Sequence, residues 1–151
     1  MINESHRVRL PSERRGITHR FVIGGQKGFL TVNMYETGLP GELFIVMSKE
    51  GSTLSGLLDG GAVVASLLLQ HGGGLATLVS KWASTSFEPA GRTDHPCIQN
   101  ASSILDYIAR WLAQKFLTLE EMTQVGLKTP CHECGKAGQC GLRYWANHRV
   151  V

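Results

Sequence analysis

The spacing of apolar and polar positions changes about one third of the way along the chain. Three short β-rich runs cover residues 18–23, 29–35 and 42–48, and turns rich in Gly or containing Pro separate them. This pattern predicts an antiparallel meander. The second run alternates, which places three of its side chains in the core: Leu30, Val32 and Met34. The third run is apolar at five consecutive positions, so we expect it to be buried on both faces.

After residue 51 the apolar positions recur at three-and-four spacing, which predicts helices. The first helix starts at Ser52 or Thr53, ends near His71 and is expected to lie mostly in the core. The positions on its apolar stripe are Leu54, Leu57, Leu58, Gly61, Val64, Ala65 and Leu68. Residues 75–82 and 102–116 form two further helices, and residues 118–125 add a helical turn. We interpret residues 84–100 as a long loop.

This order of elements predicts an α+β fold, with a three-stranded antiparallel meander packed against about three helices. Residues 1–16 form a basic N-terminal arm and residues 17–117 the α+β domain. Residues 118–151 form a Cys-rich tail that resembles a zinc knuckle.

The positive charge is concentrated in the first twenty residues. They contain five Arg and two Glu, a balance of +3 that equals the net charge of the whole chain. The rest is neutral, which argues against an extended nucleic-acid-binding face but permits a small phosphate site. Arg14 and Arg15 are candidates to reach such a site, and the alternative is a flexible arm without specific contacts.

Neither a secretory leader nor a membrane span is predicted. The start of the chain lacks a basic segment followed by an apolar one, and the apolar run from residue 60 is short and interrupted by Gly. We therefore expect a cytoplasmic protein.

The loop before the first helix is a candidate anion site. Lys49, Gly51, Ser52 and Thr53 would combine a cation, hydroxyls and unpaired amide donors at a helix N-terminus. The order of residues is not that of a P-loop. The alternative is ordinary helix capping by Ser52 or Thr53.

The predicted loop at 84–100 supplies further candidates. Arg92 is the preferred anion partner, and Phe87 is expected to stack on a base. Cys97 lies close to His95 in sequence, but no third group is evident that would orient a nucleophile and base, so catalysis by this pair is not expected.

The tail contains three of the four cysteines. Cys131, Cys134 and Cys140, completed by His148 or by His132, predict a structural zinc site of the Cys3His type. The alternatives are a redox dithiol and a tail with neither role. Structural disulfides are not expected in a cytoplasmic chain. Motifs for paired carboxylates, a Ser nucleophile or dinucleotide binding are absent from the sequence, so a self-sufficient enzyme is not expected.

Several segments in order resemble one known family. Residues 9–19, 29–32, 40–45, 49–56, 87–89 and 103–112 are similar to the TSCPD domain at the C-terminus of adenosylcobalamin-dependent (class II) ribonucleotide reductases. The resemblance covers roughly residues 9–117. In that family the domain follows a catalytic barrel that holds the cobalamin, the radical-forming Cys and the substrate. A Cys-rich tail after the domain relays reducing equivalents or binds zinc.

The resemblance implies a non-catalytic module, because none of the barrel's sites is carried over. We expect an accessory of a separately encoded reductase, acting in assembly, nucleotide regulation or re-reduction, with no cobalamin bound by this chain. The alternative is a stand-alone nucleotide-binding protein, such as a phage protein that sequesters cyclic nucleotide defence signals. A zinc-stabilised interaction domain is a third interpretation. A homo-oligomer is expected, and the candidate site residues are the same for both leading hypotheses.

Overall fold

The computed structural model describes residues 6–48 and 53–127. In chain order the elements are β1 (Arg15–Ile23), β2 (Gln26–Met34), β3 (Pro40–Met47), α1 (Thr53–Gln70), α2 (Leu75–Trp82), β4 (Gly91–His95), β5 (Ile98–Ala101), α3 (Ile104–Phe116) and α4 (Leu119–Gln124). They fall into two compact units. Of the described residues, the first comprises 6–21, 26–48 and 53–75, and the second comprises 22–25 and 76–127.

The fold is α+β, as predicted, but the described part of the chain has five strands and not three. The strand order is β3-β2-β1-β4-β5, which confirms the meander. The two additional strands lie in the segment predicted to be a loop. The spacing of apolar residues does not predict them, because they are short and only Ile98 and Ala101 are buried. Backbone pairing of Gly91 with Ala101 and of His95 with Ile98 forms the hairpin.

In the first unit, β3 does not have two buried faces. Leu43, Ile45 and Met47 are buried, whereas Phe44 is 46% exposed and Val46 is 50% exposed. The strand alternates because α1 packs on β3 and the buried residues point to one face only. In β2, Leu30 and Val32 are buried as predicted, and Met34 is partly exposed.

Helix α1 has the predicted position, but its buried face is rotated from the prediction. Leu58, Ala62, Ala65 and Leu69 are buried, whereas Leu57 is 70% exposed and the predicted core residue Val64 is 67% exposed. Ser66 fixes this rotation, since its hydroxyl accepts from the Leu43 amide at 2.9 Å and donates to the Ala62 carbonyl at 2.8 Å. The helix therefore presents an apolar outer side that no described residue of its unit covers.

By length and composition alone, α1 also qualifies as a helix that could cross a membrane. It has 18 residues and a mean hydropathy of 1.4, and a third of it is buried. Core helices of soluble proteins meet the same criterion. The polar contacts of Ser66 with β3 are typical of a core helix.

The basic arm is bound to the first unit. Val8 N–H donates to the carbonyl of Gln70 at 2.8 Å, and Tyr35 Oη donates to the Val8 carbonyl at 2.6 Å. Arg7 Nε donates to Gln70 Oε1 at 2.7 Å, while the buried Gln70 Nε2 donates to the Gly41 carbonyl at 3.0 Å. The end of α1 thus holds the start of the described chain.

The second unit is built on α3, in the predicted place. Tyr107, Ile108 and Leu112 are fully buried on this helix, which packs against β5. Ser103 caps α3 by accepting from the Asp106 amide at 3.0 Å. Thr118 forms a capping box for α4, confirming the predicted helical turn.

Candidate functional site

The predicted anion cradle is described only in part. Thr53 is the first residue of α1 and is exposed. Lys49, Gly51 and Ser52 lie outside the described residues. The cradle therefore stays a prediction, with one of its four residues placed.

The two arginines predicted to extend from the arm have different surroundings. Arg14 Nη2 lies 2.8 Å from Glu42 Oε2, and Arg14 Nη1 donates to the Pro11 carbonyl at 3.1 Å. Asn33 Nδ2 donates to the same carboxylate at 2.9 Å. Arg15 begins β1 and is exposed. Contact of Arg14 with a phosphate would therefore compete with an existing ion pair, whereas Arg15 has no such competitor among the described residues.

Arg92 and Phe87 belong to the second unit. Arg92 is exposed on β4, and its carbonyl accepts from the Gly24 amide at 2.9 Å. Gly24 has a φ of +53°, and a Cβ there would lie 2.6 Å from the Ala90 carbonyl oxygen. Only glycine therefore fits this approach between the β1–β2 turn and the start of β4. Phe87 is half-buried, and its amide donates to the Ser102 carbonyl at 3.1 Å.

The predicted metal ligands all lie outside the described residues. These are Cys131, Cys134, Cys140 and His148, with His132 as the alternative. Within residues 6–48 and 53–127, no group of three or more His, Cys, Asp or Glu side chains is placed to hold a metal ion. The structural zinc site thus stays a prediction.

The expectation that structural disulfides are absent does not cover Cys97, which is disulfide-bonded. It rested on the rarity of structural disulfides in cytoplasmic proteins, a rule that does not cover transient or redox-active ones.

Hydrogen bonds fix the turn that carries Cys97. The β4–β5 turn consists of Pro96 and Cys97, and the Cys97 amide donates to His95 Nδ1 at 3.1 Å. The His95 amide donates to Thr93 Oγ1 at 3.1 Å, and that hydroxyl donates to the Ile98 carbonyl. Because Nδ1 accepts a hydrogen bond, neutral His95 carries its proton on Nε2.

Ionisable side chains surround His95 in the same unit. Its ring meets the buried Tyr107 ring edge-on, with centroids 6.1 Å apart. Burial, reinforced by the positive charge of Lys115 and opposed by Asp94, lowers the pKa of His95. Burial also lowers the pKa of Lys115 to about 8, and its ammonium lies 5.5 Å from the centroid of the Trp111 ring. Burial raises the pKa of Tyr107.

This cluster was not predicted from the sequence as a unit. Cys97 and His95 were considered only as a nucleophile and base, and Tyr107 and Lys115 lie within the predicted helix 102–116 without being singled out. The cluster depends on pairing of β4 with β5 and on packing of β5 against α3. The available signal in the sequence was the placement of His95 and Cys97 on either side of Pro96, between two polar segments.

Comparison with known proteins shows the family. The TSCPD domain model matches residues 5–116. A vitamin B12-dependent ribonucleotide reductase of Rhodopirellula baltica is 43% identical over 118 residues, covering 78% of this chain and 11% of the relative. The protein of the same name from Streptomyces avermitilis is 47% identical over 121 residues, covering 80% of this chain and 13% of the relative. No solved structure matches the chain.

A two-unit α+β protein with this sequence match is a TSCPD-type domain. The chain belongs to the TSCPD domain family. It spans only about a tenth of the length of the reductases that it resembles. The similarity therefore concerns one small domain of those proteins.

Proposed function

We propose that the chain is a non-catalytic module that assists a separately encoded adenosylcobalamin-dependent ribonucleotide reductase in deoxyribonucleotide synthesis. Its family membership carries the proposal, because the matching segment belongs to proteins named vitamin B12-dependent ribonucleotide reductases. The proposed roles are assembly, nucleotide regulation and re-reduction. We assign no catalytic residue to this chain, and cobalamin would be bound by the catalytic subunit.

A module on a separate chain needs a binding surface, because it lacks the high effective concentration that a covalent link provides. The first unit offers one on the side of β2 and β3 opposite their buried residues. Phe29 is 43% exposed and pairs with Val46, while Thr31 pairs with the exposed Phe44. These four residues form the open sheet face. Clustered exposed apolar side chains of this kind are typical of protein interaction sites.

The proposal predicts that the open sheet face contacts the catalytic subunit. Phe44→Glu should weaken binding of the full chain to a class II catalytic subunit by at least about tenfold, because a charge would be buried in an apolar contact. Binding is measured by biolayer interferometry with the subunit immobilised. The matched control is Leu39→Glu, which changes a residue that is 62% exposed in the turn before β3.

Equal affinity of wild-type chain and Phe44→Glu would remove the open sheet face from the interface. Absence of any binding by the wild-type chain, at concentrations where it is folded by circular dichroism, would contradict the accessory function itself.

Nucleotide regulation would use the predicted phosphate contacts, in which Arg92, Arg15 and Thr53 supply exposed groups. The other members of this proposed site are Lys49, Gly51, Ser52, Arg14 and Phe87. A structural zinc ion held by Cys131, Cys134, Cys140 and His148 would stabilise the tail. The phosphate site and the zinc site are both proposals, and a homo-oligomer would be compatible with each of them.

A further inference from the structure

The outer side of α1 carries large apolar side chains that no described residue of its unit covers. Leu57 is 70% exposed, Val63 is 59% exposed and Val64 is 67% exposed. The buried residues of the helix occupy its other side, which packs on β3. Asp59 is the only charged residue of α1. Clustered apolar side chains of this kind are typical of a surface that another molecule covers.

Two glycines on the same side of α1 have no packing role within the described chain. A Cβ added at Gly56 or at Gly60 would meet no other described atom within 4 Å, and neither residue has a positive φ. Glycine destabilises the interior of a helix relative to alanine, so these positions weaken α1 without any benefit to its own unit. What glycine provides here is room for a second backbone to approach from outside.

We propose that the outer side of α1 binds the same surface of a second copy of this chain, in a symmetric homodimer with antiparallel helices. The surface is complementary to itself. When two copies cross at Gly60, the helical repeat of 3.6 residues brings Gly56 of one opposite Val63 of the other, and Leu57 opposite Val64. Each contact then joins apolar groups, and Gly60 lets the two helix axes approach closely.

The charges of the first unit favour a second copy as the occupant and favour the antiparallel arrangement. Because Asp59 is the only charge on α1, a charged partner surface would lose its water here without gaining opposite charges. An antiparallel pair also places opposite ends of the two helix dipoles side by side. It keeps the two Arg7 side chains apart, since Gln70 holds each of them at the C-terminal end of its own α1.

The size of the surface sets the strength of the dimer. A helix of 18 residues is about 27 Å long and about 10 Å wide, so two copies cover roughly 600 Å² in total. Stable complexes bury about 1,200 Å² or more, so this dimer is weak and forms at high micromolar concentration.

The inference goes beyond the proposed accessory function and does not depend on it. Because α1 packs on the buried side of β3, the open sheet face of each copy stays free in the dimer. A dimer therefore presents two copies of that face, which would raise the apparent affinity for any partner with two matching sites.

Sedimentation equilibrium of the full chain under reducing conditions, from about 10 μM to about 1 mM, tests the dimer. We expect the average mass to rise from monomer towards dimer over this range. Gly60→Leu should raise the dissociation constant at least about tenfold, because the side chain fills the crossing point. Its urea midpoint should not fall, since leucine is the better helix former and no described atom obstructs it. Val64→Lys should weaken the dimer similarly, whereas Phe44→Glu is the control and should not.

NMR spectra of the chain labelled with nitrogen-15 locate the contact over the same concentrations. The amide signals of Gly56, Gly60 and Val64 should shift with concentration, and those of Phe29 and Phe44 should not. A chain that stays monomeric at about 1 mM would overturn the proposal. So would a dimer of equal affinity in wild type and Gly60→Leu, or shifts confined to the open sheet face. None of these outcomes bears on binding to a reductase, which is measured with the catalytic subunit.

Discussion

At the scale of single residues, the described chain places its most perturbed ionisable groups together beside the β4–β5 turn. Burial lowers the pKa of His95 and lowers the pKa of Lys115 to about 8. Two charges of opposite sign act on His95, since Lys115 lowers its pKa and Asp94 raises it. The state of this histidine thus depends on residues that can be changed one at a time.

Lys115→Met should raise the pKa of His95, because it removes the positive charge that disfavours the imidazolium. Asp94→Asn is the matched variant of opposite sign and should lower that pKa further. The Asn oxygen can still accept the 3.0 Å hydrogen bond from the Val22 amide. Both values are measured by NMR titration of the His95 ring. Shifts of the same sign in the two variants would show that charge is not the cause.

The pH dependence of stability follows from the same histidine. Its pKa is lower in the folded chain than the ordinary value of 6.5, so the unfolded chain binds more protons as the pH falls. The contribution of neutral His95 is fully present above pH 6.5 and is lost as the pH falls through the folded pKa. In Lys115→Met the folded pKa of His95 lies closer to 6.5, so this loss should end at a higher pH and be smaller.

At the scale of elements, one carboxylate fixes the start of α3. Asp106 is 1% exposed and accepts from the Ser84 amide at 2.7 Å and the Ser102 amide at 3.1 Å. Arg110 Nε lies 3.0 Å from the same carboxylate and balances its charge. The helix, the segment after α2 and the end of β5 therefore meet at a single side chain.

Asp106→Ala should lower the free energy of unfolding by roughly 3 kcal/mol, because two backbone donors and the Arg110 guanidinium lose their acceptor. Urea denaturation followed by circular dichroism measures the change. Asp59→Ala, at an exposed position of α1, is the control and should stay within about 0.5 kcal/mol. If the free energy of unfolding falls as little in Asp106→Ala as in the control, water would have replaced the carboxylate as the acceptor of these hydrogen bonds.

The elements differ in how well the sequence predicts them. The four helices were predictable because apolar spacing and capping residues are local signals, as Ser103 and Thr118 illustrate. β4 and β5 were not, since their stability comes from pairing between polar segments and from packing of α3. The exposed positions of Leu57 and Val64 were also unpredictable, because an apolar stripe does not reveal which part of it meets the sheet.

At the scale of the whole molecule, the candidate site was predictable as residue types but not as a geometry. Thr53, Arg14 and Arg15 belong to the first unit, and Arg92 and Phe87 to the second. The pairing of Arg14 with Glu42 depends on the register of β2 and β3 with the arm, which no spacing along the chain encodes.

Nucleotide binding by the whole chain tests the candidate site that the two leading hypotheses share. Arg92→Ala should weaken binding of a nucleoside triphosphate by roughly 1–3 kcal/mol, the contribution of a charged hydrogen bond, as measured by calorimetry. Lys81→Ala, an exposed basic residue of the same unit, is the control. Unchanged affinity would remove Arg92 from the site. Tight binding of a cyclic nucleotide, without binding to a catalytic subunit, would instead support a stand-alone sequestering protein.

The internal contacts of the arm also affect how fast an anionic partner can associate. Arg7 is held by Gln70 and Arg14 by Glu42, so both side chains are fixed and the charge of Arg14 is neutralised at close range. The electrostatic field that attracts an approaching anion is therefore weaker than the field of five unpaired arginines would be. Encounter rates with such a partner should therefore change less with ionic strength than those of a free polybasic tail.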